Sequence, residues 1–202
     1  MNNKLLAIIA ISIFLYFAFI KNKAMAANIS DEQFINLLTN WVKSKEGNLS
    51  NDPNDSAAQN PSPTPEKWHT KWGVTWTTYT NLAEQLGYQP TVNGFINMNP
   101  DTWWLIYSQY YKRAADLTDN IILNTYISLW YWGGWNQGLV SMSDVKRILV
   151  LPISAKEKLR KLVNLRKLYF ERLVAQKPNY NRYLTGWKNR AESFYSTFNK
   201  YA

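Results

Sequence analysis

Hydrophobic positions recur at helical spacing along most of the chain, and turn-forming residues separate the recurring stretches. The first stretch comprises Phe34, Leu37, Leu38, Trp41 and Val42. This i, i+3, i+4 spacing predicts an amphipathic helix. Ser30, followed three residues later by Gln33, has the pattern of a capping box at the start, and Gly47 is suited to the end. The pattern therefore predicts a helix from about residue 31 to residue 45 or 46.

The rest of the chain contains a long polar loop and further helical segments. Residues 47–68 are predicted to be loop, because the prolines at 61, 63 and 65 forbid helix and favour an extended course. Helices are predicted over about 77–86, from Pro100, over 121–132, from Ala155 to before Pro178, and over about 180–198. Residues 121–132 are apolar on every face and should form a central buried helix. The sequence thus predicts a mainly α fold in which loops carry the polar chemistry.

An apolar run near the N-terminus indicates export. Residues 5–20 form a run of 16 residues in which only Ser12 is polar, with one lysine before it and two lysines soon after it. This length suits a long signal-peptide core or a short membrane span. The small residues at 24–26 would allow cleavage before residue 27. Lys21 and Lys23, which come directly after the apolar run, instead favour an uncleaved anchor in contact with the inner membrane. Residues 1–26 are therefore expected to export the chain to the periplasm or cell wall.

Composition excludes several kinds of chemistry. The 202 residues contain no cysteine and a single histidine, His69. Disulfides, thiolate metal sites and a cysteine nucleophile are excluded, and one histidine cannot form a multi-histidine zinc site. We therefore expect no metal and no cofactor, and chemistry that rests mainly on carboxylates.

The net charge of +9 arises from one stretch of the chain. Residues 156–190 hold 11 Lys and Arg residues against two acidic ones, whereas the rest of the chain is balanced. Such a stretch could contact nucleic acid, anionic lipid or an anionic wall polymer, or it could be a solvated helix face. No nucleic-acid recognition motif accompanies the charge and an export segment precedes it, so we expect no nucleic-acid partner.

Three carboxylates lie near the end of the first predicted helix. Glu46 ends that helix, and Asp52 and Asp55 follow six and nine residues later. Glycoside hydrolysis needs two carboxyl groups, one to donate a proton and one to act as base or stabiliser. Taken alone, the three residues are weak evidence for catalysis, because a solvated acidic loop or Asx turns are the more common explanation of such a cluster.

The surrounding residues resemble glycoside hydrolase family 108, a family of N-acetylmuramidases often encoded by phages and prophages. Its opening motif can be written EGG…NDPxDxGGxTxxGIT, and the matching segments here are 46–47 (EG), 51–55 (NDPND) and 70–75 (TKWGVT). Two later segments are also similar to the family, 106–111 (IYSQYY) and 182–190 (RYLTGWKNR). The second of these lies in what is usually called a peptidoglycan-binding region, and the resemblance covers about residues 30–200.

The resemblance implies a lysozyme-like helical domain with an irregular active-site loop and C-terminal helices. It implies that Glu46 is the general acid and that Asp55 and Thr70 hold or activate the attacking water. The implied substrate is the peptidoglycan glycan strand, cut at the β-1,4 bond between N-acetylmuramic acid and N-acetylglucosamine in endolysin-like lysis or remodelling. The predicted substrate contacts are Asp52, Trp68, Trp72 and Trp76. His69 is interpreted as a surface histidine.

The chain departs from the family motif near the predicted site. Asn48 replaces the second glycine of EGG, and the spacer before Thr70 is about ten residues longer and lacks its Gly-Gly pair. These departures leave open an alternative function, that of a catalytically degenerate, secreted or membrane-anchored peptidoglycan-binding protein. The predicted organisation is an export segment over 1–26, a catalytic region over 27–112 and a helical, peptidoglycan-binding half over 113–202.

Overall fold

The computed structural model describes residues 29–51, 53, 58, 61–85 and 89–202. Its helices are α1 (Asp31–Glu46), α2 (Trp76–Gln85), α3 (Val92–Ile96), α4 (Pro100–Tyr111), α5 (Ile121–Trp132), α6 (Met142–Leu149), α7 (Ala155–Gln176) and α8 (Asn181–Phe198), with a 3-10 turn at Pro178–Tyr180. The strands β1 (Leu49–Ser50), β2 (Thr70–Lys71) and β3 (Val74–Thr75) form a small antiparallel sheet in that order. The predicted fold class, a mainly α lysozyme-like chain with an irregular loop and C-terminal helices, is confirmed.

The described residues divide into two compact units, of which the first comprises Asp31–Gln109. Aromatic contacts between α1 and α4 and within α4 contribute to its core. Phe34 meets Trp104 edge-on with ring centroids 6.3 Å apart, and Trp103 stacks on Tyr107 at 5.0 Å. All four side chains are buried. Because these large apolar surfaces leave water together, they hold α1, and with it the C-terminal residue Glu46, against α4.

The second unit comprises Tyr110–Ala202 together with residues 29–30. Its central helix α5 packs against α7, which also packs against α6 and α8. The side chains of Ser141 and Ser154 form capping boxes with Asp144 and Glu157 at the starts of α6 and α7. Each box satisfies backbone N–H groups that the first helical turn leaves unpaired.

A buried polar network ties the loop before α5 to that helix. Asn124 is fully buried, and its amide group donates hydrogen bonds of 2.8 Å to the carbonyls of Ala115 and Thr118. Its Oδ1 accepts hydrogen bonds from the N–H (3.1 Å) and the hydroxyl (3.0 Å) of Thr118. These four bonds use the amide's hydrogen-bonding capacity, so the cost of burying it is offset.

The helices predicted from hydrophobic spacing are confirmed as α1, α2, α4, α5, α7 and α8, with ends within two residues of the prediction. The sequence did not predict α3, α6 or the sheet. The prediction that residues 47–68 are loop is wrong at Leu49–Ser50, which form β1. Helices of five or eight residues and strands of two residues are too short to show a reliable period.

Two predictions about organisation stay predictions. The export segment over residues 1–26 lies outside the described residues. Within the part of the chain that the structure does describe, no helix is long and apolar enough to cross a membrane. The compact units divide after Gln109, three residues before the predicted end of the catalytic region, and this division does not test the roles predicted for the two halves.

Candidate active site

Glu46 is the last residue of α1 and is half-buried. The next residue, Gly47, has a φ of +69°, the left-handed conformation that ends many helices and that glycine adopts without strain. The helix end concentrates unpaired carbonyl groups and the negative end of the helix dipole near Glu46. This environment favours a neutral carboxyl group, whereas Lys43 and Lys45 of the same turn favour a charged one.

Thr70 lies in the central strand of the small sheet and is buried. Its Cα is paired with Ser50 across β1 and with Thr75 across β3. Directly paired residues of antiparallel strands project to the same face, so three hydroxyl side chains share one face of the sheet. The pairing brings Thr70 beside the segment that follows Glu46, although the intervening spacer is long.

The other two predicted carboxylates, Asp52 and Asp55, lie outside the described residues. Their predicted roles therefore stay predictions. In the region the structure describes around them, Asn51 donates a hydrogen bond of 3.3 Å to the carbonyl of Glu66. This contact joins the start of the spacer to its end, next to β2.

A tight turn at Trp72 and Gly73 connects β2 to β3. Both residues have positive φ, 48° and 76° respectively, as a two-residue type I′ hairpin requires. Tryptophan is an unusual residue in that conformation, because its Cβ is crowded there. The turn is held by tertiary contacts: the Trp72 carbonyl accepts a hydrogen bond of 3.2 Å from the Trp103 indole, and only 9% of Trp72 is exposed.

The three tryptophans predicted to contact substrate have different surroundings. Trp72 is buried, with the ammonium groups of Lys43 and Lys71 at 4.3 and 4.9 Å from its ring. Trp76 is half-buried and packs against Tyr79 and Phe95 at 5.7 and 5.4 Å. Trp68 is half-buried, and its backbone is held by the hydroxyls of Ser62 and Thr64 at 2.9 and 3.2 Å. The indole of Trp72 is thus largely covered by protein.

The interpretation of His69 as a surface residue is wrong, because only 2% of His69 is exposed. Its backbone extends the sheet at both sides. The His69 N–H donates to the Ser50 carbonyl at 2.9 Å, and its carbonyl accepts from the Trp76 N–H at 3.3 Å. Because both backbone groups of His69 are hydrogen-bonded beside the sheet, the residue lies in the folded interior and not in an exposed loop.

A buried lysine beside the site was missed by the sequence reasoning. Lys71 is 7% exposed, and its ammonium group donates a hydrogen bond to Oδ1 of Asn48. Burial lowers the pKa of Lys71, and repulsion from Lys43 lowers it further. Asn48 is the residue that replaces the second glycine of the family motif. The departure from the family motif was the available sign that the surroundings of this position differ here.

The described residues contain no group of three or more His, Asp or Glu side chains placed to hold a metal ion. The described site residues provide a half-buried carboxyl at a helix end, neighbouring hydroxyls on a sheet and two lysines around an indole.

Comparison with known families identifies one match. The family model described as Glycosyl hydrolase 108 matches residues 39–145. The matched range begins within α1, includes Glu46 and the whole sheet, and ends within α6. Comparison with curated proteins and with solved structures gives no match.

Proposed function

Because this chain belongs to the Glycosyl hydrolase 108 family, we propose that it cuts the β-1,4 bond between N-acetylmuramic acid and N-acetylglucosamine. The chain is a glycoside hydrolase, and its family supports peptidoglycan as the substrate. The observation that carries the proposal is the family match across Glu46 and Thr70, the two described residues of the predicted catalytic set.

In this proposal Glu46 donates a proton to the glycosidic oxygen as the sugar acquires positive charge. The helix dipole at the C-terminal end of α1 favours the neutral form that a proton donor needs, and Lys43 and Lys45 of the same turn oppose it. Asp55 and Thr70 hold or activate the water that attacks the sugar. The pairing of Thr70 with Ser50 supports its role, because it keeps the hydroxyl beside the chain that leaves Glu46.

Asp52, Trp68, Trp72 and Trp76 stay the proposed substrate contacts. Trp68 is the best candidate for stacking on a sugar ring. It is half-buried and lies at the end of the spacer, whereas Trp72 is covered by two lysines and Trp76 packs against Phe95. An aromatic ring needs an open face to stack on a sugar, so the burial of Trp72 favours a structural contribution for it.

The proposed activity is tested by zymography on purified peptidoglycan with the Glu46→Gln variant. Loss of a general acid typically lowers the rate by about 10²–10⁴-fold, so cleavage should disappear while the thermal unfolding profile is retained. Glu84→Gln is a matched control, because Glu84 is exposed on α2 in the same unit. Mass spectrometry of borohydride-reduced products should find reduced muramic acid ends.

Activity of Glu46→Gln within a few-fold of the unmodified protein would exclude Glu46 as the acid. Reduced glucosamine ends would exclude the proposed bond. The second candidate function, a catalytically degenerate wall-binding protein, is favoured by the long spacer and by Asn48. It predicts that the unmodified protein sediments with peptidoglycan but releases no fragments.

We also propose that the protein reaches its substrate by export through residues 1–26. The apolar run at 5–20 supports this, as does the position of peptidoglycan outside the inner membrane. Cleavage before Ala27 would release the enzyme, and retention of the segment would anchor it. Either outcome suits endolysin-like lysis or wall remodelling.

A further inference from the structure

Arg166 occupies a core position of α7, within the second unit. Its helical neighbours at the preceding and following turns, Leu162, Val163, Tyr169 and Phe170, are all buried. Only 6% of Arg166 itself is exposed. Burying a cation costs several kcal/mol unless an anion or hydrogen-bond acceptors compensate for the lost water. An apolar side chain would avoid this cost, so the presence of arginine requires an explanation.

Three aromatic rings surround the guanidinium group. Its central carbon lies 5.0 Å from the ring of Trp130, 4.6 Å from that of Tyr169 and 4.8 Å from that of Phe170. Cation–π attraction at each ring offsets part of the cost. Ring faces attract the charge but do not replace acceptor oxygens. Nη1 is buried, and it has no hydrogen-bond acceptor among the residues that the structure describes.

Two further hydrogen-bond donors in the same cluster also lack an acceptor. The indole N–H of Trp130 and the hydroxyl of Tyr126 are buried without a hydrogen-bond partner in the described part of the chain. Both residues lie on α5, one turn apart, with ring centroids at 6.2 Å. Donors are thus concentrated around Arg166, and the described residues supply no acceptor for them. A hydrogen-bond acceptor would satisfy these donors, and an anionic oxygen would in addition neutralise the guanidinium.

A glycine turn lies directly over the guanidinium. Gly133 and Gly134 follow α5 and are exposed. A Cβ placed on Gly133 would stand 2.9 Å from Nη2 of Arg166, closer than ordinary van der Waals contact. The carbonyl of Gly134 accepts a hydrogen bond of 3.4 Å from Tyr169, which fixes the turn above the ring. Glycine at position 133 therefore keeps space free at the edge of a buried cation.

We propose that Arg166, beneath the Gly133–Gly134 turn, is a binding site for a carboxylate of an external ligand. A guanidinium pairs with a carboxylate through two parallel N–H···O bonds, and the low local dielectric strengthens such a pair. A carboxylate arriving over Gly133 would supply acceptors and neutralise the buried charge. Trp130, Tyr169 and Phe170 would bound the ligand and exclude water.

Two chemically distinct carboxylates fit this site in the proposed substrate. One is the lactyl carboxylate of N-acetylmuramic acid, which is free only where the peptide stem has been removed, and the other is a carboxylate of the peptide stem. The site lies wholly in the second unit and involves none of the proposed catalytic residues, so it does not depend on whether Glu46 is the acid. Burial lowers the pKa of Arg166 to about 10, and the group remains charged at neutral pH.

The test is to titrate the full chain with two pairs of probe ligands and to measure binding by tryptophan fluorescence and calorimetry. N-acetylmuramic acid is compared with N-acetylglucosamine, and N-acetyl-D-alanyl-D-alanine with its C-terminal amide. At least one carboxylate should bind at least tenfold more tightly than its neutral partner. Arg166→Met should lose this preference, whereas Lys161→Met, which removes a charge from the exposed side of the same helix, should keep it.

Gly133→Ala gives a second, independent test, because it retains the arginine residue but places a methyl group 2.9 Å from its Nη2, a clash that the guanidinium must shift to relieve. It should weaken carboxylate binding at least tenfold while retaining the unfolding profile. A purely structural arginine predicts that neither carboxylate binds and that Arg166→Met only changes stability. Equal binding of acid and neutral probes, or unchanged binding in either Arg166→Met or Gly133→Ala, would overturn the proposal. Binding by Glu46→Gln protein that lacks activity separates this site from catalysis.

Discussion

The contact between Asn48 and Lys71 provides a quantitative test of how the chain accommodates its departure from the family motif. Asn48→Ala removes the amide oxygen that accepts a hydrogen bond from the part-buried ammonium group of Lys71. A hydrogen bond to a charged group contributes about 1.5–3 kcal/mol. Asn48 itself is exposed, so water replaces part of the lost interaction. We therefore expect the variant to lower the free energy of unfolding of the first unit by about 1.5 kcal/mol.

The assay is urea unfolding, monitored by tryptophan fluorescence. The fluorescence of Trp72 should respond to changes at Lys71, because the ammonium group of Lys71 lies against its ring. Asn51→Ala is the matched control. It removes the same amide group three residues later, where the hydrogen bond is neutral and exposed, and should cost at most about 0.5 kcal/mol. Lys71→Met and the double variant complete a cycle, in which we expect a coupling energy of about 1.5 kcal/mol.

Two results would refute this reasoning. A coupling energy below about 0.5 kcal/mol would mean that Lys71 is stabilised by other groups. Equal stability of Asn48→Ala and Asn51→Ala would mean that the part-buried ammonium does not need the Asn48 oxygen. Confirmation would show that Asn48 serves the stability of the turn and sheet, and that restoring glycine at this position would weaken them.

Two further predictions concern the pH dependence of stability and the N-terminus. Burial raises the pKa of Tyr111 above the model-compound value of 10.0, so above pH 10 the unfolded chain loses this proton first and folding weakens by up to about 1.4 kcal/mol per pH unit. Tyr111→Phe should therefore lose less stability between pH 8 and pH 11 in urea unfolding, and equal losses would contradict the assignment. For export, N-terminal sequencing of the secreted protein should find Ala27 first, whereas an intact Met1 in the membrane fraction would indicate an anchor.

Long periodic helices could be predicted from the sequence, and the sheet that organises the candidate site could not. α7 is 22 residues long and repeats its apolar face over several turns. Each strand has two residues, within which alternation cannot be recognised. The pairing of Ser50 with Thr70 also spans the long spacer. Its stability depends on contacts distant in sequence, so the local pattern contains no sign of it.

Trp72 illustrates why the surroundings of a side chain were harder to predict than its secondary structure. Asn-Gly is the usual sign of a type I′ turn, and Trp-Gly is not. The sequence suggested an indole available to a sugar, because the residue follows the polar loop. In the structure the indole is covered by Lys43 and Lys71, and the Trp103 indole bonds to its carbonyl. These tertiary contacts stabilise a backbone conformation that tryptophan disfavours by itself.

The basic stretch at 156–190 shows that the number of charged residues does not predict how many of them form an exposed basic surface. Its ion pairs include those of Arg160 and Lys167 with Glu192, and that of Lys188 with Glu171. Arg166 is inside the unit, so the solvated basic surface is smaller than the net charge suggests. The sequence analysis counted Arg166 in the basic stretch, although its position continues the apolar i, i+3, i+4 stripe of α7. A cation in a core register conflicts with the local pattern, and such conflicts are expected where function rather than stability selects the residue.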